Sequence, residues 1–221
     1  MMVEFPDGIL QRLKATGVVA GFSVDRVEHA VPLAKALVAG GIDAIELTLR
    51  TPAGLDAVKA ICAEVQDMVV GVGTILTPEV AQEVKARGAD FGVAPGTNPR
   101  VIRAAQEVGL PFAPGIATPS DLETAIELGC RFVKFFPAEA SGGISYLRSM
   151  AAPYKHLGIQ YFPLGGVNTE NMVAYLNETD VAAIGGSWIV KKELVNNEDW
   201  AGITARATEV RQKVESRVEN E

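Results

Sequence analysis

Three small groups of residues in this chain have types and spacings that could do chemistry together. The first is Lys134, set in the run Phe132-Val133-Lys134-Phe135-Phe136-Pro137. An ammonium among apolar neighbours loses hydration, which favours the neutral amine, and a neutral amine is the nucleophile that imine formation with a ketone requires. A lysine in such a run can also snorkel to water or pair with a carboxylate for structural ends, so it does not decide the matter alone. The second group is Ile45-Glu46-Leu47-Thr48-Leu49-Arg50, where strand alternation sends Glu46, Thr48 and Arg50 to one side and the aliphatics to the other. One strand then offers a proton-transfer carboxylate, a hydroxyl and a cation suited to a carboxylate ligand. If that side shares a cavity with Lys134, Glu46 can move protons to and from a bound intermediate; the structural alternative is an internal ion pair, which gains little over apolar packing. The third group is glycine-rich: Gly165-Gly166, then Gly185-Gly186-Ser187. Glycines let backbone amides approach an anion, and the Ser187 hydroxyl is a further donor, although glycine pairs also serve as plain tight turns. Gly71-Val72-Gly73-Thr74 and Ala94-Pro95-Gly96-Thr97 form two more compact loops, of which Thr74 is the better functional candidate because it ends a strand directly.

These groups act together only on a scaffold that sets strand ends side by side. A weak internal repeat supplies one: a short β-rich run, then a helix-start signal. Thr51-Pro52, Thr77-Pro78, Asn98-Pro99 and Thr118-Pro119 each pair an N-cap oxygen with a proline suited to the first helical position, and Asn168-Thr169 does similar work without proline. Upstream of these starts lie strand candidates near Val18–Val24, Ala44–Thr48, Val69–Val72, Phe91–Ala94, Pro111–Pro114, Phe132–Phe136, Gln160–Leu164 and Val181–Ile184. Between them Arg26–Ala39, Ala53–Val65, Pro78–Arg87, Arg100–Val108 and Asp121–Leu128 carry apolar residues at helical spacing, and Gly40, Gly88, Gly109 and Gly129 read as left-handed C-terminal caps. Eight strands alternating with helices imply parallel pairing, and the expected fold is a (β/α)8 TIM barrel forming a single domain over residues 1–221. Residues 1–16 read as a short helix covering the barrel bottom, and the chain from about 210 to 221 as a solvated tail after a last helix. In that fold the active site lies at the C-terminal ends of the strands, and the loops after the last two commonly bind phosphate. A dinucleotide-binding open sheet has no Gly-x-Gly-x-x-Gly to recommend it.

Composition narrows the partners. With 48% apolar and 21% charged residues the chain is ordinary for a globular protein, and a net charge of −7 with pI near 5.0 argues against nucleic acid or an anionic membrane as partner. Any anionic substrate must be held by local groups. Cys62 and Cys130 read as buried small hydrophobes, and His29 and His156 have no ligand pattern around them, so neither metal nor cofactor is expected. No secretory leader or membrane span is read, which makes a cytoplasmic location the expectation.

The longest motifs carry a family likeness. EHAVPLAKALVAGGIDAIELTLRTP from Glu28, VGVGTILTP from Val70, FVKFFPAEASGG from Phe132 and IGGSW from Ile184 make the chain resemble the 2-keto-3-deoxy-6-phosphogluconate aldolases, which also act on 4-hydroxy-2-oxoglutarate, over nearly its whole length. By that resemblance Lys134 is the Schiff-base lysine, Glu46 the proton-transfer residue, Arg50 and Thr74 the carboxylate-binding groups, and Gly165, Gly166, Gly186 and Ser187 the phosphate site, with Pro95, Phe136 and Leu164 lining the pocket. The resemblance also implies a homotrimer acting on a phosphorylated 2-keto acid. Two departures stand out. Leu164-Gly165-Gly166 replaces a Thr-Gly-Gly, which is more like enzymes acting on the galactonate epimer, and Val18-Val19-Ala20-Gly21-Phe22-Ser23 differs from the family's usual first strand. A phosphosugar isomerase or epimerase, and a non-catalytic phosphate-binding barrel, are the rival readings.

Overall fold

The structure, a computed structural model, describes residues 5–218; the first four residues of the expected N-terminal helix and the last three of the expected tail lie outside them. Among the described residues there are nine short strands: β1 (Val18–Phe22), β2 (Ala44–Thr48), β3 (Val69–Gly73), β4 (Phe91–Val93), β5 (Phe112–Ala113), β6 (Gly115–Ile116), β7 (Phe132–Phe135), β8 (Gln160–Pro163) and β9 (Ile184–Gly186). All pairings are parallel, as helical crossovers require. The strands form a six-stranded sheet in the order β5-β4-β3-β2-β1-β9 and a three-stranded sheet β6-β7-β8. One expected strand is thus split at Pro114, which cannot donate to a ladder; β5 pairs with β4 while β6 pairs with β7, and Lys134 N–H donates to the Pro114 carbonyl at 2.9 Å. Single parallel bridges, Tyr161 with Val181 and Leu164 with Gly185, link β8 to the approach and middle of β9.

Two apolar clusters follow from strand alternation. Ile45, Leu47, Val70 and Val72 face the helices, whereas Val19, Ala44, Val69, Phe91, Phe132 and Phe162 form a separate buried cluster on the other face of the curled sheet. The helices are α1 (Asp7–Thr16), α2 (Ala30–Ala39), α3 (Gly54–Glu64), α4 (Pro78–Ala86), α5 (Pro99–Glu107), α6 (Pro119–Glu127), α7 (Gly143–Ala151), α8 (Met172–Leu176), α9 (Lys192–Asn196) and α10 (Trp200–Val218), with single 3-10 segments at Val27–His29 and Ala152–Leu157. Leu13 of α1 is buried in the second cluster, and Phe5, Ile9 and Leu10 pack against it. Helix α10 continues to Val218 with Val210 and Val214 buried, so the described part of the expected tail is helical.

Three of the proline starts hold: Thr77, Asn98 and Thr118 accept backbone amides ahead of α4, α5 and α6, and Thr118 forms a full capping box with Asp121. Thr51-Pro52 does not start a helix. The Thr51 hydroxyl is drawn off to the Val24 carbonyl, a turn intervenes, and α3 begins at Gly54. Asn168 likewise caps a turn, accepting from Glu170 N–H at 2.7 Å, and α8 starts later. Gly88, Gly109 and Gly129 have positive φ as expected, but after α2 the left-handed residue is Gly41 and not Gly40. Gly40 is needed for another reason: a Cβ there would stand 2.4 Å from Ala207 Cβ, where α10 packs on α2.

Candidate active site

A cavity of about 690 Å³ opens at the C-terminal ends of β1, β2, β7, β8 and β9. At its base lie Lys134 and Glu46, only 6% and 1% exposed, with the lysine Nζ donating to Glu46 Oε1 at 2.7 Å. Glycine makes room for them. The register places Gly21 and Gly71 opposite Glu46 on its two neighbouring strands, and a Cβ at Gly73 would stand 2.1 Å from Glu46 Oε1. Lys134 lies between Gly115 and Phe162, with its Nζ 5.3 Å from the centroid of the Phe136 ring. A primary amine and a carboxylate in hydrogen-bond contact and shielded from water form a nucleophile with its own proton acceptor.

Arg50, Phe136, Leu164, Gly165, Gly186 and Ser187 line the same cavity. Thr48 does too, its hydroxyl donating to the Phe22 carbonyl at 3.2 Å. Arg50 is exposed at the rim with no ion-pair or side-chain hydrogen-bond partner among the described residues. Three expected site residues are not in the lining. Thr74 ends β3 in a left-handed conformation, φ 65°, and Pro95 is exposed on the neighbouring loop, its backbone hard against Gly115. Gly166 sits one residue past the lining, its carbonyl accepting the side-chain amides of Asn168 and Asn171 at 3.3 and 3.2 Å. Gly165 and Gly166 adopt φ of 92° and 87°, a backbone that a side chain strains to follow.

The structure adds groups that sequence reasoning missed: Ser23 at the end of β1, and Lys191, Lys192 and Glu193 after β9. Two adjacent lysines directly beyond the last glycine loop were the available signal in a chain of net charge −7. Lys192 is bound to Asp25 at 2.9 Å, while Lys191 has no side-chain partner among the described residues. The rim thus carries two uncommitted cations, Arg50 and Lys191, on either side of β1. The thiols lie elsewhere: burial pushes Cys62 and Cys130 each up to about 11, so both stay protonated and unreactive near neutrality. His29 is buried against Trp200, with its Nε2 3.3 Å from Glu198.

Comparison with known proteins bears directly on this arrangement. Residues 9–206 match the family model described as "Aldolase: KDPG and KHG aldolase". The chain is 43% identical over 199 residues to a 2-dehydro-3-deoxy-phosphogluconate aldolase of Dickeya dadantii (strain 3937), covering 90% of this chain and 92% of that one. It is 42% identical over 186 residues to a KHG/KDPG aldolase of Escherichia coli (strain K12), covering 84% and 86%. Among solved structures, KDPG aldolase from Legionella pneumophila, with pyruvate captured at low pH as a covalent carbinolamine intermediate, superposes with a TM-score of 0.86 at 36% identity, over 91% of this chain and 97% of that one.

Proposed function

The chain belongs to the KDPG and KHG aldolase family, and from that membership we propose that its cavity reversibly cleaves 2-keto-3-deoxy-6-phosphogluconate to pyruvate and glyceraldehyde 3-phosphate. It is a lyase, a class I aldolase. The observation that carries the mechanism is the buried 2.7 Å contact between Lys134 and Glu46. Glu46 takes a proton from the Lys134 nitrogen as it attacks the C2 carbonyl and passes it to the new alkoxide, then relays a second nitrogen proton to the resulting hydroxyl, so that water leaves and a protonated imine remains. Glu46 next takes the C4 hydroxyl proton. The C4–O electrons close to the aldehyde carbonyl, the C3–C4 bond breaks, and its electron pair passes into the imine to give an enamine. Protonation at C3 and hydrolysis release pyruvate and restore the amine. Arg50 holds the substrate carboxylate, with Thr74 at the neighbouring strand end, while the glycine loops at Gly165-Gly166 and Gly186-Ser187 take the phosphate. The same amine would cleave 4-hydroxy-2-oxoglutarate to pyruvate and glyoxylate.

Turnover of 2-keto-3-deoxy-6-phosphogluconate by the wild type and Glu46→Gln, read as pyruvate released, tests this. Pyruvate must form in the wild type and fall by about 10²-fold or more in the variant; an isomerised product of unchanged mass, or no product, would remove the proposal. Leu164 favours one alternative, a preference for the galactonate epimer, because it sets an aliphatic group in the cavity wall. Comparing the two epimers in the wild type and in Leu164→Thr decides it, since an added hydroxyl should move the ratio toward the gluconate.

The two sheets are, in this reading, arcs of one closed eight-stranded barrel, joined across Pro114 on one side and by the β8–β9 bridges on the other, with α1 covering its bottom. That makes residues 1–221 one domain. Family membership supports a homotrimer, which light scattering of the purified protein checks. Among the described residues no helix is long and apolar enough to cross a membrane, and the family's metabolic substrate fits a cytoplasmic enzyme.

A further inference from the structure

One wall of the cavity, Leu164 and Gly165 with Gly166 one residue past the lining, is held from behind by residues outside that lining. Glu139 lies on the segment leaving β7, beyond Lys134. Its N–H donates to the Gly165 carbonyl at 2.9 Å, and the N–H of Ala138 donates to the Leu164 carbonyl at 2.7 Å. Its Cβ and Cγ stand 2.6 and 2.7 Å from where a Cβ on Gly166 would be, so the glycine backbone rests directly on the glutamate stem. With the Gly166 carbonyl taken by Asn168 and Asn171, the carbonyls along this turn are engaged. The Gly166 amide, by contrast, donates to no protein acceptor among the described residues, while the Gly165 amide faces the parallel Leu164–Gly185 bridge. A free amide beside a cavity suits an anion, but the Gly166 backbone rests on the Glu139 stem, and a carboxylate within a Debye length, about 8 Å, would repel one. The Tyr175 hydroxyl of α8 donates to Glu139 Oε1, and the same oxygen lies 3.4 Å from where a Cβ on Gly143 would be, at the start of α7. Tyr175 is 1% exposed, and burial with the neighbouring carboxylate raises its ionisation well above the usual phenol range, so it remains a donor.

We propose that Tyr175 and Glu139 are positioning residues for the anionic end of the substrate. Tyr175 pins the Glu139 carboxylate off the glycine turn, and Glu139 in turn orients the turn's free Gly166 amide toward the anion. This rests on the reading that the Gly165-Gly166 turn receives a phosphate.

The test separates phosphate handling from imine chemistry by measuring kcat and KM with 2-keto-3-deoxy-6-phosphogluconate, and trapping of the pyruvate imine by borohydride, which needs no phosphate. Tyr175→Phe should raise KM about tenfold at nearly constant kcat, since it frees a charged partner from a hydrogen bond, and should trap pyruvate at the wild-type rate. Adding Glu139→Gln to that variant should recover most of the KM, because the repelling charge is gone while the stem remains. An unchanged KM, or a parallel loss of pyruvate trapping, overturns the proposal. If Tyr175→Phe does not fold, Glu139→Gln alone carries the test: its KM should stay within about twofold, because the amide oxygen still accepts from Tyr175, and a tenfold rise contradicts the account. A wild type that traps pyruvate yet handles 2-keto-3-deoxygluconate as well as its phosphate ester would refute the phosphate site itself, a different failure from either of these.

Discussion

The sheet's inner face is built from opposite materials below and above the Lys134–Glu46 pair. Below it, Phe132 stacks near Phe162 with centroids 5.8 Å apart, and Phe5 packs 4.6 Å from Phe132 and 5.7 Å from Phe91. Val19, Ala44 and Val69 complete a dry floor. Above it, the cavity is walled by glycine turns, Ser187 and the rim cations Arg50 and Lys191. The floor can only fix and dehydrate; the mouth can only bind. On the proposed mechanism, an amine at their boundary receives a defined position and poor hydration from one side and a ketone from the other, and neither region alone would make it a nucleophile.

That division can be broken at four places. The largest effect belongs to the boundary itself: Lys134→Met should lower kcat/KM by about 10⁴-fold or more, because it removes the one amine held against Glu46. Steady-state kinetics read this, and retention of substantial turnover would show that the chemistry lies elsewhere. Cutting the floor should instead act on stability. Phe132→Ala removes a fully buried ring and should lower the unfolding free energy by about 3–5 kcal/mol in denaturant melts, with KM little changed; a large KM effect would mean that the floor is not separate from the mouth. Gly73→Ala sharpens the boundary, since its methyl would stand 2.1 Å from Glu46 Oε1. The displaced carboxylate should lose about 10²-fold in kcat, whereas an unaffected kcat would show that the 2.7 Å geometry is not needed. The smallest effect is at the rim: Arg50→Met should raise KM for the keto acid about tenfold while kcat holds, and a fall in kcat would place Arg50 in the chemical step.

The floor and the boundary were largely legible from sequence, and the mouth was less so. Period-two alternation in Ile45–Arg50 puts Glu46, Thr48 and Arg50 on one side of a strand, and the apolar run Phe132–Phe136 marks Lys134 as a candidate for a dry site, but which side is the inner one took the tertiary structure to show. Strand positions were readable for the same reason. The mouth depends on loop paths, which local patterns do not fix. Thr74 follows directly on β3 and Pro95 lies two residues past β4, yet both stand outside the cavity lining, and Lys191 enters it through a turn that no periodicity announces. Thr51-Pro52 misled because its hydroxyl had a stronger tertiary use, a bond to the Val24 carbonyl. The need for glycine at 73 is invisible in sequence, since it is set by a carboxylate from another strand.

The most direct measurement is mass analysis of the protease-digested chain after incubation with pyruvate and borohydride. The account requires a reduced pyruvate adduct on the peptide that carries Lys134, and its absence from the Lys134→Met protein. An unmodified Lys134 peptide, or an adduct on a rim lysine such as Lys191 instead, would contradict it.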